Sequence, residues 1–165
     1  MKSLKILALT LLLALAANFA HAIDRHPYPP PEQARLDLAR ALKTAAATHK
    51  RVLLDFGGNW CADCLVLNFY FHDPQNLAIL NQDFVLVDVN IGQYDANLDI
   101  AKKYQVPLQK GVPALVVLSD RGTLLYTQKQ GEFEAMSRMD PASVTRFLTQ
   151  WKPGHTGCSM MSVTC

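Results

Sequence analysis

Two cysteines separated by two residues, in Asn59-Trp60-Cys61-Ala62-Asp63-Cys64, lie between two apolar runs. Val52-Leu53-Leu54-Asp55-Phe56 precedes them and Leu65-Val66-Leu67-Asn68-Phe69-Tyr70-Phe71 follows. The order reads as a strand, a Gly57-Gly58 turn and a helix that the cysteines open. At a helix start, unpaired backbone N–H groups and the positive end of the dipole favour a thiolate, which assigns the nucleophile to Cys61. Cys64, one turn inward, is placed to attack the mixed disulfide that Cys61 would form. The other readings of the pair are a structural disulfide, or half of a zinc site that needs two more ligands.

The ends of the chain set its compartment and size. Met1-Lys2-Ser3-Leu4-Lys5 is a basic start, residues 6–17 are apolar, and Ala20-His21-Ala22 supplies the small residues of a cleavage site. The pattern predicts a signal peptide over residues 1–22, with the mature chain starting at Ile23. Its apolar stretch is short for a membrane span, which needs about 20 residues. The alternative is an uncleaved N-terminal anchor. Removing 22 of the 165 residues leaves one domain's worth of chain. Lys2 and Lys5 leave with it, so the remaining basic residues match the 14 acidic ones. A formally neutral chain gives no argument for nucleic acid or an anionic membrane as partner. The four cysteines, an even count in an exported chain, are compatible with two disulfides.

Residues 23–31 are Pro-rich and read as an extended lead-in. Ala34, Leu38, Ala41, Leu42 and Ala45 recur at helical steps, predicting an amphipathic helix over residues 32–49. Val52–Phe56 is too apolar to be a solvated edge and reads as a buried strand. The cysteine-led helix runs to about residue 72. Asp73-Pro74 supplies a cap and a proline for the next helix, to about residue 80. Residues 84–91 form a strand, 97–104 a short helix, and 114–118 with 123–127 a β-hairpin around Gly122. Asp140-Pro141 repeats the cap-and-proline signature for a last helix to about Trp151, ended by Pro153-Gly154. This pattern predicts an α/β fold whose sheet has parallel and antiparallel parts.

Asp55, Trp60-Cys61-x-x-Cys64 and Gly111-Val112-Pro113 before a strand, taken in that order of elements, resemble the thioredoxin superfamily. The chain is most similar to its periplasmic thioredoxin-like domains, such as the C-terminal domain of the thiol:disulfide interchange protein DsbD. The resemblance covers residues 32 to about 152 and implies a thioredoxin-like fold, a central mixed sheet flanked by helices. It implies a thiol:disulfide oxidoreductase without a dissociable cofactor. Pro113 then corresponds to the family's cis-proline, with Val112 offering backbone to an extended substrate; the plain alternative is a trans proline that starts a strand. Asp55 stands where the family has a buried acid able to take a proton from Cys64, or else it caps a neighbouring turn. The lysine that accompanies this acid in cytosolic thioredoxins is replaced, and Asp88 is the nearest match. Trp60 would shield the disulfide and help to dock a partner, or simply pack.

Asp63, between the cysteines, disfavours a nearby thiolate and leans the reading towards a reductase or electron carrier. Oxidase or isomerase activity is the alternative within the enzyme class, and a non-catalytic binding module lies outside it. Expected partners are exported proteins with disulfides and, for recycling in the periplasm, a membrane electron donor. The tail from residue 153 holds His155, Cys158, Met160, Met161 and Cys165. Three readings stand: a Cys158–Cys165 disulfide, a relay that exchanges with Cys61–Cys64, or a soft copper site in a metal-handling carrier. His26, His49 and His72 have no partner visible in sequence.

Overall fold

The computed structural model describes residues 26–154. The expected leader and the tail residues His155, Cys158, Met160, Met161 and Cys165 lie outside that range. After a 3-10 turn at Pro31–Gln33 come α1 (Ala34–Thr48), β1 (Arg51–Gly57), α2 (Ala62–Phe71), α3 (Pro74–Asp83) and β2 (Phe84–Asn90). The chain continues through α4 (Leu98–Lys103), a 3-10 turn at Leu108–Lys110, β3 (Ala114–Leu118) and β4 (Leu124–Thr127). A further 3-10 turn at Met136–Arg138 leads to α5 (Ala142–Trp151).

Among the described residues, four strands form one sheet in the order β2-β1-β3-β4. β1 pairs in parallel with β2 and antiparallel with β3, and β4 pairs antiparallel with β3. This makes β1 a central strand, and Val52, Leu53, Leu54 and Phe56 are fully buried. Alternation along the strands sends their side chains to opposite faces. Val52, Leu54 and Phe56 join Val87, Val89, Leu38, Ala41 and Ala45 in the core on the α1 side. Leu53 joins Leu115, Val117, Leu67, Leu80 and Leu148 in a second core beneath α2, α3 and α5. The sheet is thus covered on both faces, and the end of β1 feeds directly into the cysteine-bearing helix.

Short-range chemistry explains the helix starts. The Asp73 carboxylate accepts from the Gln75 amide, with Pro74 at the first helical position. The Asp140 carboxylate accepts from the Ala142 amide in the same way. α3 runs past residue 80 to Asp83, because no breaker separates it from β2 and the Phe84 amide still bonds to the Leu80 carbonyl. Among the described residues no helix is long and apolar enough to cross a membrane.

The Pro-rich lead-in is more than an extended approach to the domain. Tyr28 within it is buried. Its amide donates to the Asn59 side chain at 3.0 Å, and the Asn59 amide group donates back to the Tyr28 carbonyl at 2.8 Å. Asn90 donates to the Pro29 carbonyl and Asn97 to the Pro31 carbonyl, each at 2.8 Å. Prolines have no N–H to pair, so side-chain amides satisfy the carbonyls and fix the segment without a strand partner.

Candidate active site

Cys61 and Cys64 form a disulfide at the start of α2, with Cα atoms 5.2 Å apart. Cys61 has extended backbone and acts as the N-cap, so its sulfur accepts from the Cys64 amide at 3.1 Å. The same N–H stabilises a thiolate at Cys61 once the disulfide is reduced. Cys61 retains 7% of its surface and Cys64 none, so Cys61 is the more accessible of the two.

Val112 brings its carbonyl oxygen to 3.5 Å from the Cys61 sulfur, and the Val112–Pro113 peptide is cis. This loop is held from behind by Gln128, which is fully buried. The Gln128 side chain accepts from the Leu115 amide at 3.3 Å and donates to the Pro113 carbonyl at 3.4 Å. Nothing in a lone glutamine after a strand marks it as this brace.

Trp60 is 44% exposed beside the disulfide. Its indole N–H donates to the Gly92 carbonyl at 2.6 Å, and its ring stacks at a tilt on Tyr94, 5.5 Å between centroids. Trp60 is therefore pinned to the loop after β2, and with exposed Tyr94 it makes an aromatic rim. Tyr94 carried no signal in the sequence, since it lies in a polar loop.

Asp63, on the first turn of α2, accepts from the Ser137 amide at 2.7 Å. Its carboxylate thus closes the 129–139 loop over α2 as well as lying between the cysteines. Met136 beside it is fully buried and part of the core.

Asp55 lies on β1 with 1% exposure, and its register partner on β2 is Asp88. Burial, then the Asp88 charge, hold the Asp55 carboxyl well above the usual range, while the hydrogen bond from Tyr28 pulls it back down. That bond runs from the Tyr28 hydroxyl to Asp55 Oδ2 at 2.8 Å. Asp55 Oδ1 is buried without a partner among the described residues. Burial pushes Asp88 up to about 7, against the pull of His72. The acid and its carboxyl neighbour were legible in sequence; Tyr28 was not.

Gly57 completes the arrangement. A side-chain carbon there would stand 2.5 Å from the Tyr28 hydroxyl oxygen and 2.8 Å from the Cys64 sulfur. The space a Cβ would fill is the space those two atoms share. His72 hydrogen-bonds the Asn68 carbonyl, and exposed His49 stands 3.5 Å from Asp120, both outside the sulfur centre. Among the described residues, no group of three or more His, Cys, Asp or Glu is placed to hold a metal ion.

A family model described as thioredoxin-like matches residues 32–119, which include the redox pair and the cis-proline loop. The chain belongs to the thioredoxin-like family. It is a disulfide oxidoreductase of that family, with Cys61 and Cys64 as its Cys-x-x-Cys pair. A disulphide isomerase from Xylella fastidiosa Temecula1 is 34% identical, with a TM-score of 0.72 over 75% of this chain and 95% of that one. The thiol:disulfide interchange protein DsbD of Pseudomonas fluorescens is 27% identical over 130 residues, 77% of this chain. The chain spans 22% of the length of that curated relative. A thioredoxin from Thermus thermophilus, 23% identical, has a TM-score of 0.53 over 79% of this thioredoxin-like chain and 89% of its own, and shares the fold.

Proposed function

We propose that this protein is an exported thiol:disulfide oxidoreductase that works in the periplasm as a reductase or electron carrier towards proteins with disulfides. The observation that carries the proposal is the Cys61 sulfur. It accepts from the Cys64 amide and lies against the Val112 carbonyl at the edge of an aromatic rim. In the reduced protein, the Cys61 thiolate attacks a substrate disulfide. One substrate sulfur leaves as a thiolate and the other stays bonded to Cys61. Cys64 gives up its proton to Asp55 and attacks the Cys61 sulfur. The Cys61–Cys64 bond forms, and the second substrate sulfur leaves with the electron pair and takes a proton from solvent. Val112 and Pro113 seat the substrate chain, Trp60 docks it, and Asp63 tunes the thiolate. Electrons then return from a donor at the membrane.

Replacing Cys64 by Ser in this scheme leaves substrates bonded to Cys61. Periplasmic extracts treated with Cys64→Ser are expected to yield mixed disulfides, and Cys61→Ser to yield none while losing insulin reduction. A measured potential near the strong-oxidant value of about −120 mV would overturn the reductase direction.

The 34% identical relative is described as a disulphide isomerase, which favours isomerisation as the second reading. Reactivation of a scrambled multi-disulfide protein, at a rate above its net reduction, would select that reading.

A further inference from the structure

We infer that Tyr28 is a positioning residue of the redox centre: its hydroxyl, bonded to Oδ2 of Asp55 and set across the Gly57 space from the Cys64 sulfur, readies the acid for the proton of the resolving thiol. This rests on the reading of Cys61–Cys64 as an exchanging dithiol with Asp55 as its base.

Three observations converge. First, the Tyr28 hydroxyl donates to Asp55 Oδ2 at 2.8 Å in a buried setting, across 27 residues of chain. Second, Asn59 clamps the backbone of Tyr28 through both its amide and its carbonyl, and Asn59 stands two residues before Cys61. Third, the absent side chain of Gly57 leaves room that the Tyr28 oxygen and the Cys64 sulfur both fill. The phenol is thus fixed from the active-site loop and brought to the inward sulfur through a position that only glycine permits.

The chemistry gives this contact a purpose. The groups that act on Asp55 are Tyr28 from the lead-in and Asp88 from β2; His72 and Asp37 act on Asp88 in turn, and the Cys64 sulfur of α2 stands across the Gly57 space from the Tyr28 hydroxyl. Desolvation and Asp88 both favour the neutral acid, and a neutral acid cannot take the thiol's proton. Tyr28 supplies the opposing effect, since a donated hydrogen bond favours the carboxylate. Burial, then the Asp55 charge, keep the phenol itself well above its ordinary range, so it stays a donor. In the resolving step the proton passes from Cys64 to the Asp55 carboxylate. The Cys64 sulfur bonds to Cys61, and the electron pair of the broken Cys61–substrate bond leaves on the substrate sulfur. Tyr28 is unchanged throughout.

The test uses the reduced full chain with glutathione disulfide as probe, quenched by acid and weighed by mass spectrometry across pH. Loss of reduced protein reports attack by Cys61, and decay of the glutathionylated form reports resolution by Cys64. Tyr28→Phe is expected to leave attack within about twofold. Near neutral pH it slows resolution about tenfold, the scale of one hydrogen bond to a charged acceptor. Its resolution profile moves to higher pH, and that of Asp88→Asn moves to lower pH. Tyr28→Phe with Asp55→Asn resolves no more slowly than Asp55→Asn alone, because the two act as a unit. A Tyr28→Phe profile that superimposes on the parent, or an effect that multiplies with Asp55→Asn, overturns the inference. If the parent forms neither glutathionylated Cys61 nor the Cys61–Cys64 disulfide, the dithiol reading itself fails and this one with it. Should Tyr28→Phe not fold, 13C-tyrosine labelling of the parent decides: the Tyr28 Cζ shift must follow the titration of Asp55, and an indifferent Cζ overturns the inference.

Discussion

Asp55 and Asp88 are register partners on adjacent parallel strands, two carboxyls side by side at the end of β1 that leads to the cysteines. Burial and their mutual repulsion raise Asp55, and burial raises Asp88 to about 7. The position on β2 has a consequence for stability that runs opposite to the usual carboxylate. A folded-state value above the unfolded one means that the folded chain holds the proton longer. Stability is then full below the unfolded value and is lost as pH rises through the folded one. Between about pH 4 and about pH 7 the protein is expected to lose stability through Asp88. Asp88→Asn is expected to flatten that fall, gaining about 2 kcal/mol at about pH 8 and little at about pH 4. Urea unfolding at the two pH values checks this. An equal change at both would assign the effect to packing.

Asp63 carries a charge between the cysteines and accepts from the Ser137 amide, and two substitutions separate the charge from the contact. Asp63→Asn keeps an oxygen for the Ser137 amide and removes the charge, whereas Asp63→Ala removes both. Losing the charge is expected to favour the Cys61 thiolate and make the potential slightly less reducing, since solvent and salt screen part of the effect. Losing the acceptor should also speed hydrogen exchange at Ser137 and cost about 1 kcal/mol. A potential that moves in Asp63→Ala and stays fixed in Asp63→Asn would assign the whole effect to the loop.

What the sequence disclosed follows from how far apart the partners lie. Asp73-Pro74 and Asp140-Pro141 each bond an amide two residues on, so the helix starts could be read locally. The redox pair, three residues apart, was legible for the same reason. Tyr28 reaches Asp55 over 27 residues, Asn59 reaches Tyr28 over 31, and Asp63 meets Ser137 over 74. No local periodicity encodes such contacts. A lone tyrosine among prolines, and an asparagine just before Trp60, were the faint signals available. Asp88 could be named only because the family resemblance pointed to its position, and strand register made it a neighbour.

Gly57→Ala tests the shared space around Cys64. The added methyl enters a site where the Tyr28 oxygen and the Cys64 sulfur already approach within 3 Å. Both the Tyr28 ring and the Cys64 sulfur must give way, since the Tyr28 Cζ also stands 2.8 Å from the added carbon. The variant is expected to lose about 1–3 kcal/mol of stability from overpacking. Combined with Tyr28→Phe, which removes the closer atom, it should lose less than the two single costs together. Thermal unfolding of the four-member set checks the sign of that coupling.

Trp60 is held through its indole N–H on the Gly92 carbonyl, with much of the ring left to solvent. Trp60→Phe keeps an aromatic surface and loses the tether. If the ring docks substrate proteins, KM for a protein disulfide is expected to rise several-fold, with kcat and the rate on glutathione disulfide little changed. Equal loss on both substrates would place the effect on the disulfide itself.

Gln128 braces the cis-proline loop from inside the protein. Its carbonyl takes the Leu115 amide and its NH2 group reaches the Pro113 carbonyl, both buried. Gln128→Leu fills similar volume but leaves those backbone groups without that partner. A cost of about 2 kcal/mol follows from the unpaired buried atoms. The functional effect is more specific, because Pro113 adjoins the Val112 carbonyl that lies 3.5 Å from the Cys61 sulfur. If the Val112 backbone seats protein substrates, loosening the loop should slow attack on folded protein disulfides more than attack on glutathione disulfide. Gln128→Glu, which burial holds as the neutral acid, keeps an acceptor for Leu115 and a single O–H donor for Pro113, so it should fall between the parent and Leu in loop order. Stopped-flow rates on the two substrates, read with hydrogen exchange at Leu115, separate the brace from a general loss of stability. A uniform slowing in proportion to the unfolded fraction would deny Gln128 any part in presenting Val112.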